Sequence, residues 1–87
     1  MGQNDIEHVE IDGHNVQFEH WMMDWAIKYM RGLDAAGRHA LFQGAKDHGD
    51  NGQSFRVSHG GPHMDFTLWE HNNNYEIKKK KQAGGWF

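Results

Sequence analysis

Phe55-Arg56-Val57-Ser58-His59-Gly60-Gly61-Pro62-His63-Met64-Asp65-Phe66 is the stretch whose reading decides the fold. Apolar and polar residues alternate on either side of a Gly-Gly-Pro turn, the pattern of two half-buried strands joined by a hairpin. Pairing Val57 with Met64 also sets Phe55 opposite Phe66 and Arg56 opposite Asp65. Apolar side chains then meet on one face and opposite charges on the other, which specifies the register. The second strand continues to His71. The asparagine run after it turns the chain into a third strand from Tyr75 to about Lys80. Pairing Asn72 with Tyr75, His71 with Glu76 and Trp69 with Lys78 keeps the same two faces.

Working back toward the start, Asp47–Gln53 is a polar loop with the turn residues Gly49, Asn51 and Gly52. Before it, Asp34 is placed to cap a helix that runs to about His48 and stops at Gly49. The inner stripe expected for this helix is Gly37, Ala40, Leu41, Gly44, Ala45 and His48, with Phe42 off it. Trp21–Leu33 contains nine apolar residues in thirteen. Its polar residues Asp24, Lys28 and Arg31 fall at i, i+4 and i+7, so a helix here has one narrow wet stripe and seeks cover elsewhere. Val9, Ile11, Val16 and Phe18 alternate around Asp12-Gly13, a hairpin signal, with Ile11 set opposite Val16. The resulting order is ββααβββ, an α+β domain with two helices packed on one face of an antiparallel sheet. The 87 residues make a single small domain, with flexible ends expected at 1–5 and 82–87.

Composition narrows the function classes. Leu, Ile, Val and Phe supply 15 residues, while four Trp and five Met provide the remaining apolar bulk. A net charge of −3 is too small for a disordered chain and gives no support to a dedicated nucleic-acid binder. The absence of cysteine excludes disulfides, thiolate zinc sites and a cysteine nucleophile. No basic, apolar leader opens the sequence, and no apolar run reaches the ~18 residues of a membrane span. A cytoplasmic setting with no membrane contact is therefore expected.

Eight histidines are the most unusual count. Imidazole is a common ligand of zinc, copper and nickel, and His59, His63 and Asp65 are the one local grouping that suits an ion. His71 lies eight residues along the same strand from His63, roughly 26 Å away, and cannot join it. The His71-Asn72-Asn73-Asn74 run lacks the following helical histidine of a histidine–metal nuclease. Asp47–Gly52 fails the calcium-loop pattern, because position 3 is Gly49 and position 12 is Ser58. Gly60-Gly61 is followed by no Lys or Ser/Thr at phosphate-loop spacing. No catalytic residue and no cofactor is indicated.

Charge and aromatic patterning point instead to contact surfaces. Residues 1–27 hold six acids and no Lys or Arg, whereas Lys78–Lys81 close the last strand as a guard for a sheet edge. The Trp21–Leu33 helix carries more apolar surface than a thin domain can cover. At least one of Trp21, Met22, Trp25 and Tyr29 is therefore expected to stay exposed and to meet a protein partner or a second copy in a homodimer. Arg56, Trp69, His71 and Lys78 form a second candidate contact set on the outer sheet face. The leading expectation is a small non-enzymatic binding or regulatory protein acting through protein–protein contacts, in the style of phage or mobile-element inhibitors. The alternatives are a histidine-based metal-binding protein or metal-dependent enzyme, and a nucleic-acid-binding module using the C-terminal lysines.

Overall fold

A computed structural model describes residues 2–80. Strands β1 (Ile6–Ile11) and β2 (His14–Glu19) form a hairpin, and a 3-10 turn (His20–Asp24) leads into helix α1 (Ala26–Gly32). Helix α2 (Ala35–Asp47) and a short 3-10 turn (Gly49–Asn51) precede strands β3 (Gln53–Ser58), β4 (His63–His71) and β5 (Asn74–Lys79). The ββααβββ order and the α+β class are as the sequence patterns require.

The sheet runs β1-β2-β5-β4-β3 and is mixed, because Asn15–Gln17 of β2 pair in parallel with Asn74–Glu76 of β5. The wholly antiparallel sheet and the lysine-guarded edge are both corrected by this pairing. The hairpin and the three-strand meander each have a free edge, and joining those edges buries β5 in the middle. The strands left at the edges are β1 and β3.

The β3–β4 register pairs Val57 with Met64, Phe55 with Phe66 and Arg56 with Asp65, as the alternation dictates. The other two hairpins slip by two residues from expectation. Ile11 faces His14 and Val9 faces Val16; His71 faces Asn74 and Trp69 faces Glu76. The turns supply the reason. Asp12 (φ 53°) with Gly13 (φ 83°), and Asn72 (φ 50°) with Asn73 (φ 68°), are two-residue loops with both residues left-handed. Such loops match the twist of the flanking strands, and Asn and Asp tolerate the left-handed region. The Glu70 carboxylate also accepts from the Asn73 N–H at 2.8 Å, which holds the second turn closed. A slip of two keeps every side chain on its face, so the core is unchanged.

One face of the sheet presents Ile11, Val16, Phe18, Phe55, Val57, Phe66, Leu68, Tyr75 and Ile77, all buried. Both helices add side chains to this cluster: Ala26, Ile27 and Met30 from α1, and Leu41, Phe42 and Ala45 from α2. Tyr29 stacks on Phe55 at 5.5 Å, and Phe42 meets Tyr75 edge-on at 4.7 Å. Phe42 is thus a core residue, whereas Ala40 and His48 are exposed, so the buried face of α2 is rotated from the expected stripe. The rotation sets the Phe42 ring between His14 at 4.4 Å and Tyr75 at 4.7 Å, burying more apolar surface than an alanine there could. Asp34 caps α2, its side chain accepting from Gly37 N–H at 2.7 Å.

The apolar run from Trp21 does not form one helix. It breaks at Trp25 (φ −110°, ψ −82°) between the 3-10 turn and α1. The break lets Met22 point into the core from one piece and Ala26, Ile27 and Met30 from the other. Asp24, Lys28 and Arg31 stay exposed as the wet stripe. At the start of the chain, the His20 N–H donates to Asp5 O at 2.8 Å and the Trp21 N–H to Gln3 O at 3.0 Å. Gln3 and Asp5 are thus hydrogen-bonded to the 3-10 turn, and 82–87 lie outside the described residues.

Among the described residues, the buried Tyr75 hydroxyl has no hydrogen-bond partner. Burial raises its pKa above the ordinary phenol value, and the charge of Glu70 pushes the same way. An unpaired buried hydroxyl costs desolvation free energy with no return. Tyr75→Phe is thus expected to leave stability unchanged or raise it by up to about 1 kcal/mol, measured by urea unfolding. A loss of more than about 1 kcal/mol would mean that the hydroxyl has a partner.

Candidate functional site

Among the described residues, no helix lies over the opposite face of the sheet. Its residues are His8 and Glu10 on β1, Asn15 and Gln17 on β2, Glu76 and Lys78 on β5, Asp65, Thr67, Trp69 and His71 on β4, and Ser54 and Arg56 on β3. Most are exposed. They are tied in cross-strand pairs: Gln17 Nε2 donates to Glu76 Oε2 at 3.2 Å, and Arg56 grips Asp65 through Nε–Oδ1 at 2.8 Å and Nη2–Oδ2 at 3.3 Å.

A cleft of about 820 Å³ is cut into the β3–β4–β5 side of this face. Ser54, Thr67 and Lys78 lie in one cross-strand row on its floor. Trp69 lies two residues along β4, and Lys80 reaches across to donate from Nζ to Ser54 Oγ at 3.2 Å. The wall is the loop His48–Gln53. That loop is pinned by Trp69, whose indole N–H donates to Asp50 O at 2.9 Å.

Gly52 is pressed onto the sheet at φ 66°, ψ −175°, and Thr67 beneath it is only 4% exposed. Thr67, on the outer face by the alternation of β4, is thus a covered position. The alternation along β4 identified the face of Thr67; it carried no sign of the loop that folds over it.

The two sets of contact residues read from the sequence are redistributed. Trp69 and Lys78 come together in the cleft. His71 is on the same face but at the far end of β4, beside a smaller depression of about 350 Å³ lined by Gln17, Asn74 and Glu76. Arg56 is committed to Asp65. Of the helix residues, Met22 is 2% exposed and cannot meet a partner. Trp21, Trp25 and Tyr29 are each partly buried against the core, so none is the exposed anchor expected of that helix. Cover comes from rings in the sheet and the β3–β4 turn: Trp21 lies 6.0 Å from Phe66, and Trp25 lies 4.9 Å from His59. The large apolar side chain left exposed among the described residues is Ile6, at 54%. Trp25 and Tyr29 do line an apolar groove of about 340 Å³ with Leu33, Val57 and His59.

The histidines scatter. His59 turns toward Trp25 while His63 and Asp65 belong to the outer face, so the proposed metal grouping does not form. Among the described residues, no three His, Asp or Glu side chains are placed to share an ion. His14 packs against Phe42 and Tyr75 at 4.4 and 5.0 Å, and His20 pairs with Glu7. These histidines serve packing and strand-end contacts.

Hydrogen bonds from the Arg56 guanidinium hold the Asp65 carboxyl below the ordinary carboxylate range. Arg56→Gln is expected to return the Asp65 midpoint toward about 3.9, followed by its carboxyl carbon shift. Arg38→Gln, which removes a cation paired with Asp12 instead, should leave that midpoint in place. Movement in both variants, or in neither, would assign the shift to another cause.

No family model matches the chain, and neither a curated protein nor a solved structure shows detectable similarity to it. Among the described residues no helix is long and apolar enough to cross a membrane.

Proposed function

We propose that this chain is a small non-enzymatic binding protein that acts in the cytoplasm by docking the outer face of its sheet onto a protein partner. One observation carries the reading: among the described residues the helices lie against a single face, and the other face is cut by a wide cleft holding Trp69, Lys78 and Lys80. Tryptophan at the centre of a contact typically dominates its binding energy, and a polar, cross-paired surround is the anatomy of a protein-binding rim. The core needs neither Trp69 nor Lys78.

The test is capture of proteins from a lysate of the source organism on the immobilised chain, compared across surface variants. A partner should be retained by the native chain and by Lys28→Glu on the helix side. It should be lost from Lys78→Glu and weakened by His71→Ala, both exposed positions. Sedimentation of the purified chain at micromolar concentration covers the case in which the partner is a second copy. A partner indifferent to the sheet-face variants overturns the reading, as does a monomer that captures nothing.

A further inference from the structure

We infer that the Trp69 cleft is a carboxylate-binding site, which receives an acidic segment of the partner and seats an apolar side chain of that segment against the indole. The inference rests on the outer-face reading above.

Lys78 and Lys80 fall on the outer face at the cleft, whereas Lys79, opposite Phe66, belongs to the other face; the carboxylate lining the cleft is Asp50. Lys80 donates from Nζ to Ser54 Oγ at 3.2 Å, which sets its ammonium over β3 at the solvent-exposed edge of the cleft. Lys78 stands beside Thr67 in the same row as Ser54. Ammonium groups beside the exposed Ser54 hydroxyl are a donor set for oxyanions. The wall is preset rather than induced: Trp69 N–H on Asp50 O and Gly52 on Thr67 fix the loop before any ligand arrives. Preorganisation of this kind reduces the ordering cost of binding.

The surroundings choose between an acidic protein segment and a nucleic acid. The positive strip is short. Glu76 lies directly across from Trp69 on the same face, and Gln17 and Glu10 continue that face onto β2 and β1. A strand with one phosphate per nucleotide would leave the lysines and run onto these carboxylates. A segment with two or three clustered carboxylates and one apolar side chain ends where the lysines end. Acidic partners and basic clefts are also matched for encounter, since complementary potentials raise association rates.

The experiment uses the full chain, isotope-labelled, titrated separately with a capped tetra-glutamate peptide, a capped tetra-glutamine peptide and a thymidine tetranucleotide. Amide shifts at Ser54 and Thr67 and the Trp69 indole N–H report occupancy. The glutamate peptide alone should move them, with affinity falling as salt is added, because exposed charges are screened within about 8 Å at physiological ionic strength. Lys78→Gln/Lys80→Gln should weaken the peptide on the order of tenfold or more, as expected when charges of the contact itself are removed. Lys28→Gln/Lys46→Gln makes the same change in net charge away from the cleft and should weaken it less than about twofold. Equal weakening by the two double variants overturns the site in favour of general charge attraction. Tighter binding of the tetranucleotide overturns the assignment of a protein segment. If no peptide binds while partner capture still depends on Lys78 and His71, the outer-face reading stands and the carboxylate site falls.

Discussion

Gly52→Ala is expected to lower the unfolding free energy by about 3–5 kcal/mol, the sum of a backbone and a packing penalty. The conformation at Gly52, φ 66° with ψ −175°, is in the region that essentially only glycine occupies, at a cost of about 1–3 kcal/mol for any other residue. The added methyl would also sit 2.6 Å from Thr67 Cγ2, 2.8 Å from the Leu68 carbonyl oxygen and 2.9 Å from Trp69 Nε1. The Leu68 carbonyl is sheet backbone and cannot yield. Relief therefore requires the His48–Gln53 loop to lift, which breaks the Trp69–Asp50 hydrogen bond and opens the cleft. Urea unfolding with the Trp69 indole N–H resonance as a second readout checks both parts. A variant with native stability and an unmoved indole signal would show that the loop does not press on the sheet.

Phe66→Ala should cost about 3–5 kcal/mol, as a large aromatic truncated in a packed core. Phe66 is fully buried at the centre of the meander, with its ring 5.7 Å from Phe55 and 6.0 Å from Trp21. Removing it takes away the cover that keeps Trp21 partly buried, so the Trp21 emission should shift toward that of an exposed indole. Thr67→Ala, one residue on and facing the loop, should cost about 1 kcal/mol, the value of a buried methyl-sized group. For an 87-residue domain of ordinary marginal stability, the phenylalanine loss is a large part of the total. Comparable midpoints in urea for the two variants would mean that the two faces of β4 are not packed as differently as their burial implies.

Strand alternation was the most legible signal. Phe55, Val57, Met64 and Phe66 share the face opposite Arg56 and Asp65, and setting those two opposite charges across from each other selects Val57 opposite Met64, so the sequence alone determined the β3–β4 hairpin and its two faces. The Asp34 cap and the stop at Gly49 likewise bounded α2, because capping chemistry is local. The wet stripe of Asp24, Lys28 and Arg31 held even though the helix broke, since three charged side chains avoid the core however the backbone bends. Hairpin registers elsewhere were legible only to within two residues. A slip of two leaves the hydrophobic pattern unchanged, and the choice was made by turns that tolerate left-handed Asp12 and Asn72.

Candidate contact residues were half legible. Trp69 and Lys78 were identified from the strand pattern, but nothing local showed that the His48–Gln53 loop would turn them into a cleft, or that Lys80 and Ser54 belonged with them. Trp21, Met22, Trp25 and Tyr29 looked like surplus apolar surface because cover was counted from the sheet and α2 alone. The break at Trp25 and the His59 turn supply the rest.

What the sequence determined by itself is everything that depends on near neighbours: which residues alternate, where α2 starts and stops, which charges stay wet, and the ββααβββ order. What only the tertiary structure decided is how separated pieces meet. The parallel seam between β2 and β5 joins segments 59 residues apart in Asn15 and Asn74. The placement of Gly52 on Thr67 joins the loop before β3 to the neighbouring strand β4. Pairing over such separations is set by which surfaces are left uncovered once each local unit has formed, a property of the assembled core that no single stretch of the chain encodes.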